Sequence, residues 1–160
     1  MSDTANKAEM REVVSKVVAE VFDSMMSMEI EALDPDLPVS IEGDRVVGSV
    51  GFGGEEAGVV CLHVNEPFSR QMTAAMIGVE LNEVNGDTDV NDAIGELTNM
   101  ISGNIKSQLY DMVSSSALAV PSIMRGSHVA VESIRAAHRE HFVFRHKGQF
   151  ILLELYLKSK

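Results

Sequence analysis

The chain has no tryptophan, two tyrosines and one cysteine among its 160 residues. A single cysteine excludes an intrachain disulfide, and Cys61, set in the apolar run Val59-Val60-Cys61-Leu62, reads as a buried core thiol. Basic side chains are scarce: 13 Lys and Arg stand against 24 Asp and Glu, a net charge of −11. Nucleic acid and anionic membrane surfaces are therefore not expected partners, and a partner that offers Lys or Arg is. No apolar run reaches the roughly 18 residues that span a bilayer, so no transmembrane helix is expected. The N-terminus is polar and acidic where a secretory leader would be basic and then apolar, so the cytoplasm is the default compartment. Only four prolines occur, and no Pro- or Ser-rich tract reads as a linker. Residues 1–160 are expected to form one domain with a real core, with residues 1–5 frayed.

What is present is periodicity. Met10, Val13, Val14, Val17, Val18, Val21 and Met25 recur at steps of three and four, predicting a helix from Ala5 to about Met28. Asp34-Pro35-Asp36-Leu37-Pro38 breaks the pattern. Ile41 to Phe52 and Gly58 to Val64 read as strands joined through Gly53-Gly54. Glu66-Pro67-Phe68 opens a second helix to about Ile77, with Pro67 suited to the first turn. After a polar loop from Asn82 to Thr88, Asp89 or Asn91 caps a third helix that runs to about Met112. A loop then begins at Ser114 and runs through Pro121. Three strands end the chain: His128 to Ile134, His141 to Arg145 and Gln149 to Lys158, with a hairpin turn at Lys147-Gly148. The fold class is α/β (α+β), with three main helices packed on a largely antiparallel sheet. The last strand, Phe150 to Tyr156, is nearly all apolar. It is expected to be buried on both faces, or, at an edge, to pair with another chain.

The third helix carries the polar constellation. Asp92, Glu96 and Asn99 stand at steps of four and three, which places them on one helix face. At about 100° per residue, Gly103 and Lys106 extend that stripe, while Val90, Ile94, Leu97, Ile101 and Ile105 fall opposite. A carboxylate and a carboxamide are thus offered one turn apart. The amide cannot relay protons at neutral pH, but its oxygen and NH2 group can hold a water. That suits hydrolysis of an already activated acyl phosphate, where catalysis is mainly positioning. The carboxylate can pair with a cation on a partner.

Other candidates are weaker. His138 and His141 stand three apart, but no third ligand converges on them, and the five histidines read as surface residues. Met25, Met26 and Met28 read as core filling. Gly51-Phe52-Gly53-Gly54 lacks the Gly-Lys-Ser/Thr ending of a phosphate loop.

Asp92-x3-Glu96-x2-Asn99 resembles the [Asp/Ser]-x3-Glu-x2-Asn pattern of the CheC/CheX/FliY family of phosphatases, which act on the phosphorylated response regulator CheY in bacterial chemotaxis. The resemblance extends to Ser102-Gly103-Asn104 further along the helix, to Pro121-Ser122-Ile123 after it, and to the Gly-x3-Gly stretch Gly54–Gly58 before it, and it covers roughly residues 6 to 158. Within the family the chain is most like the CheX branch. CheC-type members carry a second copy of the motif on the first helix; Lys16-x3-Glu20-x2-Asp23 departs from it at two of three positions, so one working site is expected.

The resemblance implies a phosphatase of a phosphorylated CheY-like receiver domain, with the motif helix inserted into the regulator's active site. It assigns Asn99 to orienting the attacking water and Glu96 to pairing with the regulator's active-site lysine. Asp92 is expected to give local support or contact, and Gly103 and Lys106 to touch the partner. No metal or cofactor is expected on this chain, Mg²⁺ being supplied by the regulator, and a homodimer built by joining sheets is implied. Two other readings remain open: a module that binds receiver domains without hydrolysis, and a structural protein of the flagellar switch. The presence of both acid and amide favours the enzyme, and the absence of an appended segment argues against the switch component.

Overall fold

A computed structural model describes residues 3–53, 58–110, 120–127 and 138–157. Along the chain run α1 (Asp3–Met26), β1 (Glu31–Leu33), β2 (Arg45–Phe52), β3 (Gly58–Asn65), α2 (Glu66–Ile77), a 3-10 turn (Leu81–Glu83), α3 (Gly86–Tyr110), β4 (Ser122–Gly126), β5 (His138–His146) and β6 (Gln149–Leu157). The strands form one six-stranded sheet in the order β1-β5-β6-β3-β2-β4, antiparallel at every pairing. This is the expected class, three helices on an antiparallel sheet.

Alternation along the strands builds the core. Val60, Leu62 and Val64 of β3, Ile151, Leu153 and Leu155 of β6, and Phe142 and Phe144 of β5 face Val14, Val18, Phe22, Phe68, Ile94, Leu97, Ile101 and Ile105 from the three helices. Met26 is buried, and Met25 and Met28 pack against the same cluster, as core filling requires.

Local chemistry sets the element ends. The Asn65 side chain accepts from the Phe68 N–H at 2.7 Å, capping α2, and Pro67 sits in its first turn. Gly78 closes α2 in the left-handed region, φ 74°. Lys147 and Gly148, φ 45° and 81°, form the two-residue turn between β5 and β6 with both central residues at positive φ, the hairpin turn whose twist suits antiparallel strands.

Several boundaries differ from expectation. Helix α1 already begins at Asp3, inside the segment expected to fray, whereas Met1 and Ser2 lie outside the described residues. Strand β2 starts at Arg45, because Gly43 turns the chain at φ 75°; Ile41 is buried from the preceding loop. Helix α3 starts at Gly86. Asp89 sits in its first turn and accepts from the Asn85 N–H at 2.7 Å, while Asn91 is an interior residue. Strands β1 and β4 were not predicted. β1 is a three-residue Glu-Ala-Leu segment held by its ladder to β5 and by the Arg145–Glu31 ion pair at 2.7 Å. β4 has no apolar alternation and pairs with β2. The expected strand from His128 to Ile134, most of the loop from Ser114 to Pro121, and Gly54 of the expected turn lie outside the described residues.

β6 is buried on both faces, as its composition predicts. It is not an edge: β5 and β3 use both of its ladders, and the edges of the described sheet are β1 and β4. The apolar last strand therefore provides no open edge for pairing with a second chain.

Candidate functional site

Helix α3 lies across β2 with very little space between them. Gly48 of β2 faces the helix, and a Cβ at that position would overlap Thr98 Oγ1 and come within 3.2 Å of Ile94 Cγ2. Thr98 is fully buried and its hydroxyl donates to the Ile94 carbonyl at 2.7 Å, so it yields only by giving up that bond. The absent side chain at Gly48 seats the helix on the sheet backbone. Val90, Ile94, Leu97, Ile101 and Ile105 are all buried below, which is the apolar side the helical spacing assigns.

Above them, Asp92 and Glu96 are exposed and Asn99 and Gly103 are half-buried. The structure thus brings four of the five stripe residues to one accessible face. Lys106 departs. It is 4% exposed, with Nζ 5.8 Å from the centroid of Phe52, so it does not continue the solvent-facing stripe as expected. Helical angle alone places Lys106 at the margin of the stripe; the end of β2 fills that margin and covers it.

The flank of α3 beside the stripe is braced by the β4 side of the sheet. Arg125 Nη1 donates to Asn91 Oδ1, and Arg125 also faces Asp87 at 3.7 Å. Arg70 of α2 reaches the same Asp87 oxygen at 3.8 Å and pairs with Glu66 at 3.1 Å. Pro121 packs against Gly95, where an added Cβ would meet its ring at 3.4 Å.

The opposite face of the sheet holds a second polar group. Glu154 of β6, 5% exposed, accepts from His63 Nε2 at 2.5 Å, Arg139 Nε at 2.9 Å and Tyr156 OH at 2.8 Å. Burial alone would raise the Glu154 carboxyl. The bonds from His63, Arg139 and Tyr156 outweigh it and hold the group at about 2. Burial, with the Glu154 bond, pushes Tyr156 up to about 12. Cys61 lies beside them and is fully buried, as expected; burial raises its thiol to about 11, which keeps it protonated.

His63 is thus a buried histidine, against the surface expectation. His138 pairs with Glu140 at 2.7 Å, whereas His141 donates to the Pro35 carbonyl at 2.7 Å, so the two do not converge. Among the described residues no group of three or more His, Cys, Asp or Glu could hold a metal, and no helix is long and apolar enough to cross a membrane. The signal for the buried group was a lone ionisable residue in an apolar strand: His63 between Leu62 and Val64, and Glu154 between Leu153 and Leu155.

Residues 46–145, which include α2, the motif helix and β4, match the family model of the chemotaxis phosphatase CheX. The chain belongs to the CheX family. Solved structures share the fold. The chemotaxis protein CheX of Desulfovibrio desulfuricans is 21% identical with a TM-score of 0.77, the match covering 94% of this chain and 99% of that one. CheX of Vibrio vulnificus is 22% identical with a TM-score of 0.75, covering 94% and 97%. A CheX–CheY–BeF3–Mg²⁺ complex from Borrelia burgdorferi is 19% identical with a TM-score of 0.67, covering 92% and 97%. No curated protein matches the chain. In this CheX-family chain the motif falls on the one helix that is seated on the sheet through Gly48 and braced at Arg125.

Proposed function

We propose that the chain is a phosphatase of the aspartyl phosphate on a CheY-like receiver domain. The observation that carries the reading is an exposed carboxylate and a half-buried carboxamide one turn apart on a rigidly seated helix of a CheX-family chain. Asn99 holds a water in line with the phosphorus. The water oxygen bonds to phosphorus as the bond to the aspartyl oxygen breaks, releasing inorganic phosphate and the free carboxylate. Glu96 pairs with a cation of the regulator and sets the angle of approach, while Asp92 and Gly103 contact the partner. Mg²⁺ and the acyl phosphate come with the regulator: Asp92 and Glu96 are two carboxylates on one face, and Mg²⁺ sites lean on substrate phosphate oxygens and waters for their other ligands. The complex of the Borrelia CheX with CheY, BeF3 and Mg²⁺ supports this choice of partner. Assembly as a homodimer and a cytoplasmic location belong to the same reading.

Phosphate release from phosphorylated CheY-like regulators, with Mg²⁺ present, tests it. The parent chain accelerates release, and Asn99→Ala loses on the order of 10²-fold or more of that acceleration while melting like the parent, because Asn99 lies outside the apolar core. A variant as fast as the parent removes Asn99 from the mechanism. A parent that binds the regulators without accelerating release is a docking module instead.

A further inference from the structure

Val120 is 87% exposed, the most exposed large apolar side chain among the described residues. It stands immediately before Pro121, and that proline lies against the motif helix at Gly95. A Cβ at Gly95 would lie 3.4 Å from Pro121 Cβ and 4.0 Å from Ile123 Cδ1, and two residues further Arg125 binds Asn91. Three alternate residues, Pro121, Ile123 and Arg125, thus lie along one flank of α3, running antiparallel to it. Pro121 meets the helix at Gly95, the residue before Glu96. The Val120 Cα lies one peptide, about 3.8 Å, from that of Pro121. Leu37, Ile77 and Leu81, the other exposed large apolar residues, belong to the loop after β1, the end of α2 and the 3-10 turn.

We propose that Val120 is the apolar anchor of the surface that seats the receiver domain, an inference that rests on the functional reading above. The occupant is a phosphorylated receiver domain that presents a cation to Glu96 and, beside it, an apolar patch to Val120. The two contacts divide the work. Asp92 and Glu96 give the approach its charge complementarity, and Val120 supplies the apolar area that a specific interface needs near its centre. The Arg125–Asn91 bond and the packing of Pro121 on Gly95 place the segment beside α3, which lowers the ordering cost when the partner arrives.

Calorimetric titration of a beryllofluoride-activated, Mg²⁺-loaded CheY-like regulator into the parent, Val120→Asp and Leu37→Asp tests the anchor. Val120→Asp is expected to bind at least about tenfold more weakly, and Leu37→Asp like the parent. Dephosphorylation by Val120→Asp needs more enzyme for half-saturation but reaches the parent's rate at saturation, and its melting curve is unchanged. Equal affinity for parent and Val120→Asp overturns the anchor, as does a loss confined to the saturating rate. A parent that neither binds nor dephosphorylates any receiver domain overturns the functional reading and the anchor together. A parent that does both, beside an indistinguishable Val120→Asp, overturns the anchor alone.

Discussion

The two faces of the sheet solve burial differently. On the helix side, strands and helices meet almost entirely through Val, Leu, Ile and Phe, and the polar chemistry is pushed to the far side of α3, where Asp92, Glu96 and Asn99 meet solvent. On the other side, a carboxylate is buried outright, and three donors from three positions satisfy it. The lesson concerns what perturbed titration means. Among the described residues the strongly shifted carboxyl is Glu154, in a buried structural network, whereas the proposed working carboxylate, Glu96, is exposed at the surface. Shifted groups often mark active sites. Here the exposure of the motif and its place in the family outweigh that association.

Breaking the network should cost stability and leave the site alone. Glu154→Leu removes the shared acceptor and leaves Arg139, His63 and Tyr156 without it; the expected loss is about 3–5 kcal/mol of unfolding free energy. Denaturant titration measures it, and the folded fraction should bind the regulator as the parent does. The same carboxyl predicts an acid limb. Its folded value, about 2, lies below the ordinary 4.5, so its stabilisation is complete above pH 4.5 and drains away as pH falls toward 2. Glu154→Leu should lack that component. An affinity loss that matches the stability loss would show that the two faces are not separable.

The converse substitution sharpens the contrast. Glu96→Ala removes an exposed side chain, so melting should be unaffected, but docking should weaken by roughly 2–5 kcal/mol if the carboxylate is desolvated against a cation. Asp92→Ala should cost less. Titration of both variants with an activated regulator ranks them, and parent-like affinity in both would remove the charge pairing.

Gly48→Ala joins the two kinds of effect. The new methyl group must push α3 outward or turn Thr98 from its bond to the Ile94 carbonyl, an overpacking penalty of about 1–3 kcal/mol. Because the motif rides on that helix, phosphatase activity should fall with stability. Thr98→Ala in the same chain opens the space and should restore part of both. A Gly48→Ala protein with parent stability and rate would show that the helix does not depend on this seat.

Much of this was legible in the sequence, for reasons that particular residues illustrate. Helix α2 was legible at its start from Glu66-Pro67-Phe68 and ends at Ile77, about where the sequence placed it; the structure adds the Asn65 and Gly78 caps. The apolar side of α3 followed from period alone, and so did the exposure of Asp92 and Glu96. Lys106 did not, because a helical wheel gives an angle from Glu96 but not the position of Phe52. β1 and β4 were missed because they are strands by partnership: their own residues are indifferent, and the ladders to β5 and β2 decide. Lone His63 and Glu154 in apolar strands hinted at buried ionisable groups, but their pairing was not legible, because positions 63, 139, 154 and 156 are brought together only by the register of β3, β5 and β6.

The central position of β6 also shapes how the molecule is made. The β2–β3 hairpin and all three helices leave the ribosome well before residue 149, yet β3 pairs with β6, Gly58 with Leu157 and His63 with Leu152, and only through β6 does it join β5. Until the last strand inserts, the sheet is two unjoined parts, each with an open edge that β6 will later occupy. Closing loops of about ninety residues is slow compared with forming a hairpin. The nascent chain therefore carries its motif helix early, on a half-built support, and the sheet beneath that helix is complete only once β6 has emerged.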